Sequence, residues 1–244
     1  MKSLSLILFS IISYCSIGQV RVGSIEFSGR VTHMYDAENY QIEIPFERQN
    51  TQGVLGKIYF DSTHLEIDFL ATIAYNLNVT YKKEKEWVLY LERFGSNKKA
   101  KTVLYEDLEV FIFDSLSFNF DTIKVIASYP CHLATYELAG IPYEAWFCTD
   151  IELGGNLLPI PTEIAGTCLE FTLPMDIADV KYTATTVNST PPKPERFEMV
   201  LPHAYVLEGE PLFPVTEPTR KEPSERTSLP PIPPPPPPMR VEED

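Results

Sequence analysis

Residues 128–150 read SYPCHLATYELAGIPYEAWFCTD, two runs of alternating apolar and polar side chains on either side of Ala139-Gly140. Period-two alternation is the pattern of a strand with one buried face. A two-residue turn between two such runs specifies an antiparallel hairpin and fixes its register. Leu138 falls opposite Ile141, Tyr136 opposite Tyr143, Leu133 opposite Trp146 and Cys131 opposite Cys148. Directly opposed Cβ atoms lie about 4.5–5.5 Å apart, and the closer pairs approach disulfide geometry. The hairpin therefore predicts a Cys131–Cys148 bridge, with Cys168 left free and buried. The competing reading is that all three are small core residues, as unbridged cysteines often are.

The same period recurs along the chain. Ile25, Phe27 and Val31 alternate with polar neighbours, as do Tyr40, Ile42, Ile44 and Phe46; Leu65, Ile67 and Phe69; and Ile73, Tyr75, Leu77, Val79 and Tyr81. Trp87–Phe94, Leu116–Phe120, Ile123–Tyr129, Cys168–Leu173 and Tyr182–Val187 are further strands, and Val103–Phe113 is strand or turn. Many short strands with no helical stripe predict an all-β or mainly β fold. One-faced strands must be covered or curl on themselves, so a curved antiparallel sheet follows, a half-barrel or open barrel. Trp87, Tyr143 and Trp146, with Tyr75, Tyr81, Phe118 and Phe120, are candidates to line its concave face; the alternative is that they are core.

The first 18 residues, MKSLSLILFSIISYCSIG, have a basic start, a short apolar run and small residues before Gln19. That is a signal-peptide pattern, too short for a span, and it predicts export to the periplasm, the outer membrane or the medium. No later run is long and apolar enough to cross a membrane as a helix. Export suits a disulfide. The chain of 244 residues carries a net charge of −14, and the leader holds Lys2 and no acid, which leaves −15 on the remainder. Such a charge argues against nucleic acid and anionic membrane surfaces as partners, since both need basic patches.

Composition changes at Pro191: 16 of the 22 prolines lie from there to the end, six of them in the run 233–238. Proline fixes φ and gives no amide donor, so residues 189–244 are expected to be a disordered, Pro-rich tail, leaving 19–188 as one β domain. The tail is either a solvated spacer or a docking segment.

Ile126, Tyr129, Cys131, Ala134 and Thr135, then Tyr143, Ala145 and Trp146, then Asp150 and Ile151 resemble the run that marks the GLPGLI family of small exported proteins of Gram-negative bacteria. Residues 154–161 stand where the naming motif follows. The resemblance implies a curved sheet similar to that of periplasmic lipoprotein carriers and a domain with no assigned enzymatic activity. It supplies no catalytic residues and gives Cys131, Tyr143 and Trp146 structural roles.

The residues themselves offer little chemistry. His33, His64, His132 and His203 form no H-x-x-x-H pair, and there is no G-x-S-x-G, phosphate loop or dinucleotide fingerprint. His33 with Asp36 and Glu38 is at most a weak surface metal site. Asn78 and Asn188 begin N-glycan acceptor patterns. No cofactor or metal is expected. The expected function is non-enzymatic binding of a lipid, another apolar ligand or an envelope protein on the curved sheet. Contact through the Pro-rich tail is the alternative, and an envelope hydrolase a weaker one.

Overall fold

The computed structural model describes residues 19–34, 54–70, 75–108, 113–174 and 178–215. The leader, the 40–46 run, Asp36, Glu38 and the last 29 residues lie outside them. The alternating runs form one mainly antiparallel, twelve-stranded sheet that is not closed into a barrel. Its strands are β1 (Gly23–Met34), β2 (Val54–Phe60), β3 (His64–Leu70), β4 (Tyr75–Lys82), β5 (Trp87–Phe94) and β6 (Asn97–Leu104), then β7 (Phe113–Ile126), β8 (Tyr129–Leu138), β9 (Ile141–Cys148), β10 (Thr167–Pro174), β11 (Ala178–Asn188) and β12 (Val206–Leu207). The order is β12-β6-β5-β4-β3-β2-β1-β11-β10-β9-β8-β7. Two meanders, β1–β6 and β7–β11, are thus joined at the centre by the long-range pairing of β1 with β11.

Alternation decides which side is buried. Ile25 and Phe27 of β1, Leu65, Ile67 and Phe69 of β3, Phe171 of β10 and Tyr182 of β11 share one core. Phe69 meets Tyr182 with ring centroids 4.6 Å apart and Phe171 at 6.1 Å. In the sheet order β3 lies three strands from β11, about 14 Å at ~4.8 Å per strand in a flat sheet. Direct ring contact therefore requires the sheet to fold over, so that its two wings close on each other. Gly56 makes room for the Phe69 ring on β2, since a Cβ there would stand 2.5 Å from it.

The hairpin at Ala139-Gly140 has the register read from the sequence, from Leu138↔Ile141 to His132↔Phe147. Both turn residues have positive φ, 52° and 78°, the type I′ geometry of two-residue hairpins. The 149–166 connection then packs between the wings. Ile151, Ile160 and Ile164 are buried, and Lys83 donates to the carbonyls of Asp61 and Leu153, both at 2.6 Å.

The boundary placed at 188 moves. Residues 194–215 form a strap across the outer face of β2–β6, and β12 adds a parallel strand to the β6 edge. Phe197, Met199 and Phe213 are buried, Phe213 stacking on Trp87 at 4.8 Å and Phe197 on His64 at 4.9 Å. The prolines stop this segment from forming long regular elements, but its interleaved apolar residues still find an apolar surface.

Candidate functional site

Among the described residues the inner face carries a small recess of about 50 Å³ beside Ile58 and Cys168 and a larger cleft. The cleft, of about 360 Å³, lies between the β4–β6 wing and β10. Leu77, Tyr90 and Val103 form one wall, Leu173 the other, and Leu108, Leu157 and Leu158 the floor; Glu92, Lys99, Lys101, Asp107 and Glu208 stand around them. Strand parity turns Leu77, Tyr90, Val103 and Leu173 inward, since each shares its face with core residues. Leu108 and Leu157 are held close by Tyr105, which stacks on Tyr81 at 4.4 Å and bonds through its hydroxyl to the backbone of Asn156 at 3.2 Å. Lys99 is paired with Glu208 at 2.7 Å. The lining is mainly apolar, with five charged residues in it.

The residues singled out by sequence do not meet there. Tyr143 is buried in the core, its ring near Tyr136 at 5.9 Å. Trp146 has the opposite parity and lies on the outer face beneath Lys124, 5.3 Å from the ring centroid. Trp87 is also outer, under the strap. The expectation that these three line one concavity is corrected: a period of two separates faces without saying which is concave. Leu77, Tyr90 and Leu173 carried the right parity, but Leu157 and Leu158 are loop residues that no pattern distinguishes.

The Cys131–Cys148 bridge is also corrected, since Cys131, Cys148 and Cys168 are all free, buried thiols. The paired register ends one step short of them, at His132↔Phe147. Each hairpin sulfur is turned to its own chain: Cys131 donates to the Tyr129 carbonyl at 3.5 Å, and Cys148 accepts from the Asp150 amide at 3.3 Å. Burial pushes the Cys131 and Cys168 thiols up to about 12, far from a nucleophilic thiolate.

The remaining charged groups gather on the outer face. Buried Glu170 accepts a hydrogen bond from Lys124 and forms an ion pair with Lys181, both at 2.7 Å. Glu66, also buried, forms an ion pair with Arg196 of the strap at 2.9 Å and accepts a hydrogen bond from Asn78 at 2.8 Å. Asn78, the first glycan candidate, thus uses its side-chain amide in the fold. Among the described residues no group of three or more His, Cys, Asp or Glu is placed to hold a metal ion.

No family model matches the sequence, and no curated protein does. Among solved structures, PNGF-II in its P21 and C2 crystal forms is similar at a TM-score of 0.43 and 9% identity, over 78% and 79% of this chain. This chain spans only about a third of that protein, 32% and 31%. The fold and the cleft define this chain as a mainly β protein built on one folded-over sheet with an apolar recess. Its function has to be argued from its own geometry.

Proposed function

We propose that the protein is a non-catalytic, exported binding protein that takes a slim apolar molecule, such as a single acyl chain, into the cleft between its wings. The observation that carries this is the recess of about 360 Å³ between the wings, lined by Leu77, Tyr90, Val103 and Leu173 among others. It falls at the lower end of the ~300–1,000 Å³ range of ligand pockets, which favours one chain over a bulky lipid. The signal-peptide pattern supports export, and the GLPGLI-like run supports a binding role.

Trp87 and Trp146 are both on the outer face, so intrinsic tryptophan emission is a poor reporter of this site. The test is native against denatured mass of the protein purified from its own host, with hexadecanoic acid displacing an apolar dye as a second readout. A lipid-sized mass lost on denaturation, and dye displacement abolished by Leu77→Trp, are expected. Equal masses together with no displacement by the wild type would defeat the reading.

A further inference from the structure

The cleft changes character along its length. On the β4–β6 wing Val103, Lys101 and Lys99 follow one another on one face of β6, opposite Val88, Tyr90 and Glu92 of β5. Successive rungs of this ladder lie roughly 7 Å apart. The Val88–Val103 rung is buried, at 0% and 8% exposed. Leu108, which follows from that end of β6, packs with Leu157 and Leu158 against the same core. At the other end the Lys99 and Glu208 side chains are 50% and 48% exposed. The cleft is thus closed and apolar at one end and open and charged at the other.

The charges have an order as well. Lys99 has a carboxylate on either side. Glu208 pairs with it at 2.7 Å and is placed by its own amide, which donates to the Ala100 carbonyl at 2.8 Å. Glu92 stands directly opposite on β5. Both raise the Lys99 ammonium above its ordinary value of 10.5, Glu208 the more. One lysine against two carboxylates leaves negative charge in excess at the open end. One rung further in, Lys101 faces Tyr90, and among the described residues no carboxylate pairs with its ammonium. Asp107, the third carboxylate of the lining, is exposed on the turn that follows β6.

We infer that the cleft takes a single-chain lipid with a zwitterionic head, a phosphate followed by an ammonium as in a lysophospholipid, which rests on the acyl-chain reading above and adds a head to it. From the closed end outward the cleft presents an apolar wall, a free cation and then an excess of carboxylate. The lipid presents a chain, a phosphate and then an ammonium. The phosphate falls beside Lys101, and the ammonium beside Glu92 and Glu208. A fatty acid would leave that carboxylate excess unanswered, and a cationic amphiphile would leave Lys101 so. A lining of two lysines and three carboxylates, in a chain of net charge −14, also opposes a purely anionic head.

The test is displacement of the apolar dye by three ligands of one chain length, each below the concentration at which it aggregates: hexadecanol, hexadecanoyl lysophosphatidic acid and hexadecanoyl lysophosphatidylcholine. The second has the phosphate without the ammonium. In the wild type lysophosphatidylcholine should bind about fivefold tighter than either of the others, the scale of partly exposed ion pairs. In Lys101→Gln and in Glu92→Gln that ratio should fall to about twofold or less, with an unchanged far-ultraviolet circular dichroism spectrum. A ratio taken within one protein cancels any general change in the cleft. Three ligands of equal affinity for the wild type would leave the acyl-chain reading standing and overturn the zwitterionic head. Lysophosphatidic acid binding as tightly as lysophosphatidylcholine would do the same, and so would a ratio that survives both substitutions. Displacement by none of the three would defeat the acyl-chain reading itself, and the head with it.

Discussion

Glu170 lies on a strand face that would ordinarily look to water, yet its side chain is 6% exposed. Burial alone would push its carboxyl up, but Lys124 and Lys181 hold it below the ordinary value of 4.5. A carboxylate depressed in the folded state adds stability above its unfolded pKa and loses it as pH falls through the folded one. The fold should therefore weaken below about pH 4.5. Glu170→Gln should be less stable by about 1–3 kcal/mol at neutral pH and should lose part of that acid slope in urea titrations at pH 7 and pH 3.5. Burial shifts Glu66 the opposite way, upward, so Glu66→Gln should leave the acid limb in place. An unaltered slope in Glu170→Gln would show that the ion triad contributes nothing. Neither carboxylate stood out in the sequence, because each occupies an ordinary outward position in an alternating strand. Only the folding of other elements onto that face buries them.

The strap is the element that composition misread. Its prolines do prevent regular structure, but Arg196, Phe197, Met199 and Phe213 between them make the contacts that matter. Arg196 reaches Glu66 at 2.9 Å and Asp68 at 3.5 Å, and lies 4.3 Å over the Tyr59 ring. Arg196→Ala would leave the Glu66 carboxylate buried with Asn78 alone. The cost should be about 2–3 kcal/mol, below that of a fully buried pair because the guanidinium is partly exposed. Phe213→Ala should shift Trp87 emission to the red. A chain ending at Val215 keeps all twelve strands, whereas one ending at Asn188 should melt far lower. Equal melting temperatures for the two would refute a structural role for the strap. The hairpin, by contrast, was legible to the residue, since a two-residue turn dictates its own register. β6 was not: Lys98, Lys99 and Lys101 disguise it as a polar loop, a composition usual for strands near a sheet edge. β7 read as two strands because its bulges interrupt the alternation.

At the scale of the whole molecule, neither wing owns the core. Phe27 and Phe69 come from the first meander and Phe171 and Tyr182 from the second, and Phe27 touches both Phe69 (5.8 Å) and Phe171 (5.5 Å). The β1–β11 pairing that brings them together links residues as distant as Ser24 and Asn188. Such long-range closure makes folding slow, and it also makes the two halves interdependent. The two tryptophans allow a direct check, because Trp87 reports the first wing and Trp146 the second. With Trp87→Phe and Trp146→Phe each chain keeps one emitter. Urea unfolding followed by fluorescence and by far-ultraviolet circular dichroism should give coincident midpoints within each variant, the mark of a two-state transition. Trp87 losing its signal at lower urea than the sheet would mean that the strap or the first wing opens by itself. The shared core would then be weaker than its ring contacts indicate, and the cleft, bounded by Leu77 on one wing and Leu173 on the other, would be a hinge. Coincident curves would make the cleft a fixed recess, selecting its ligand by size.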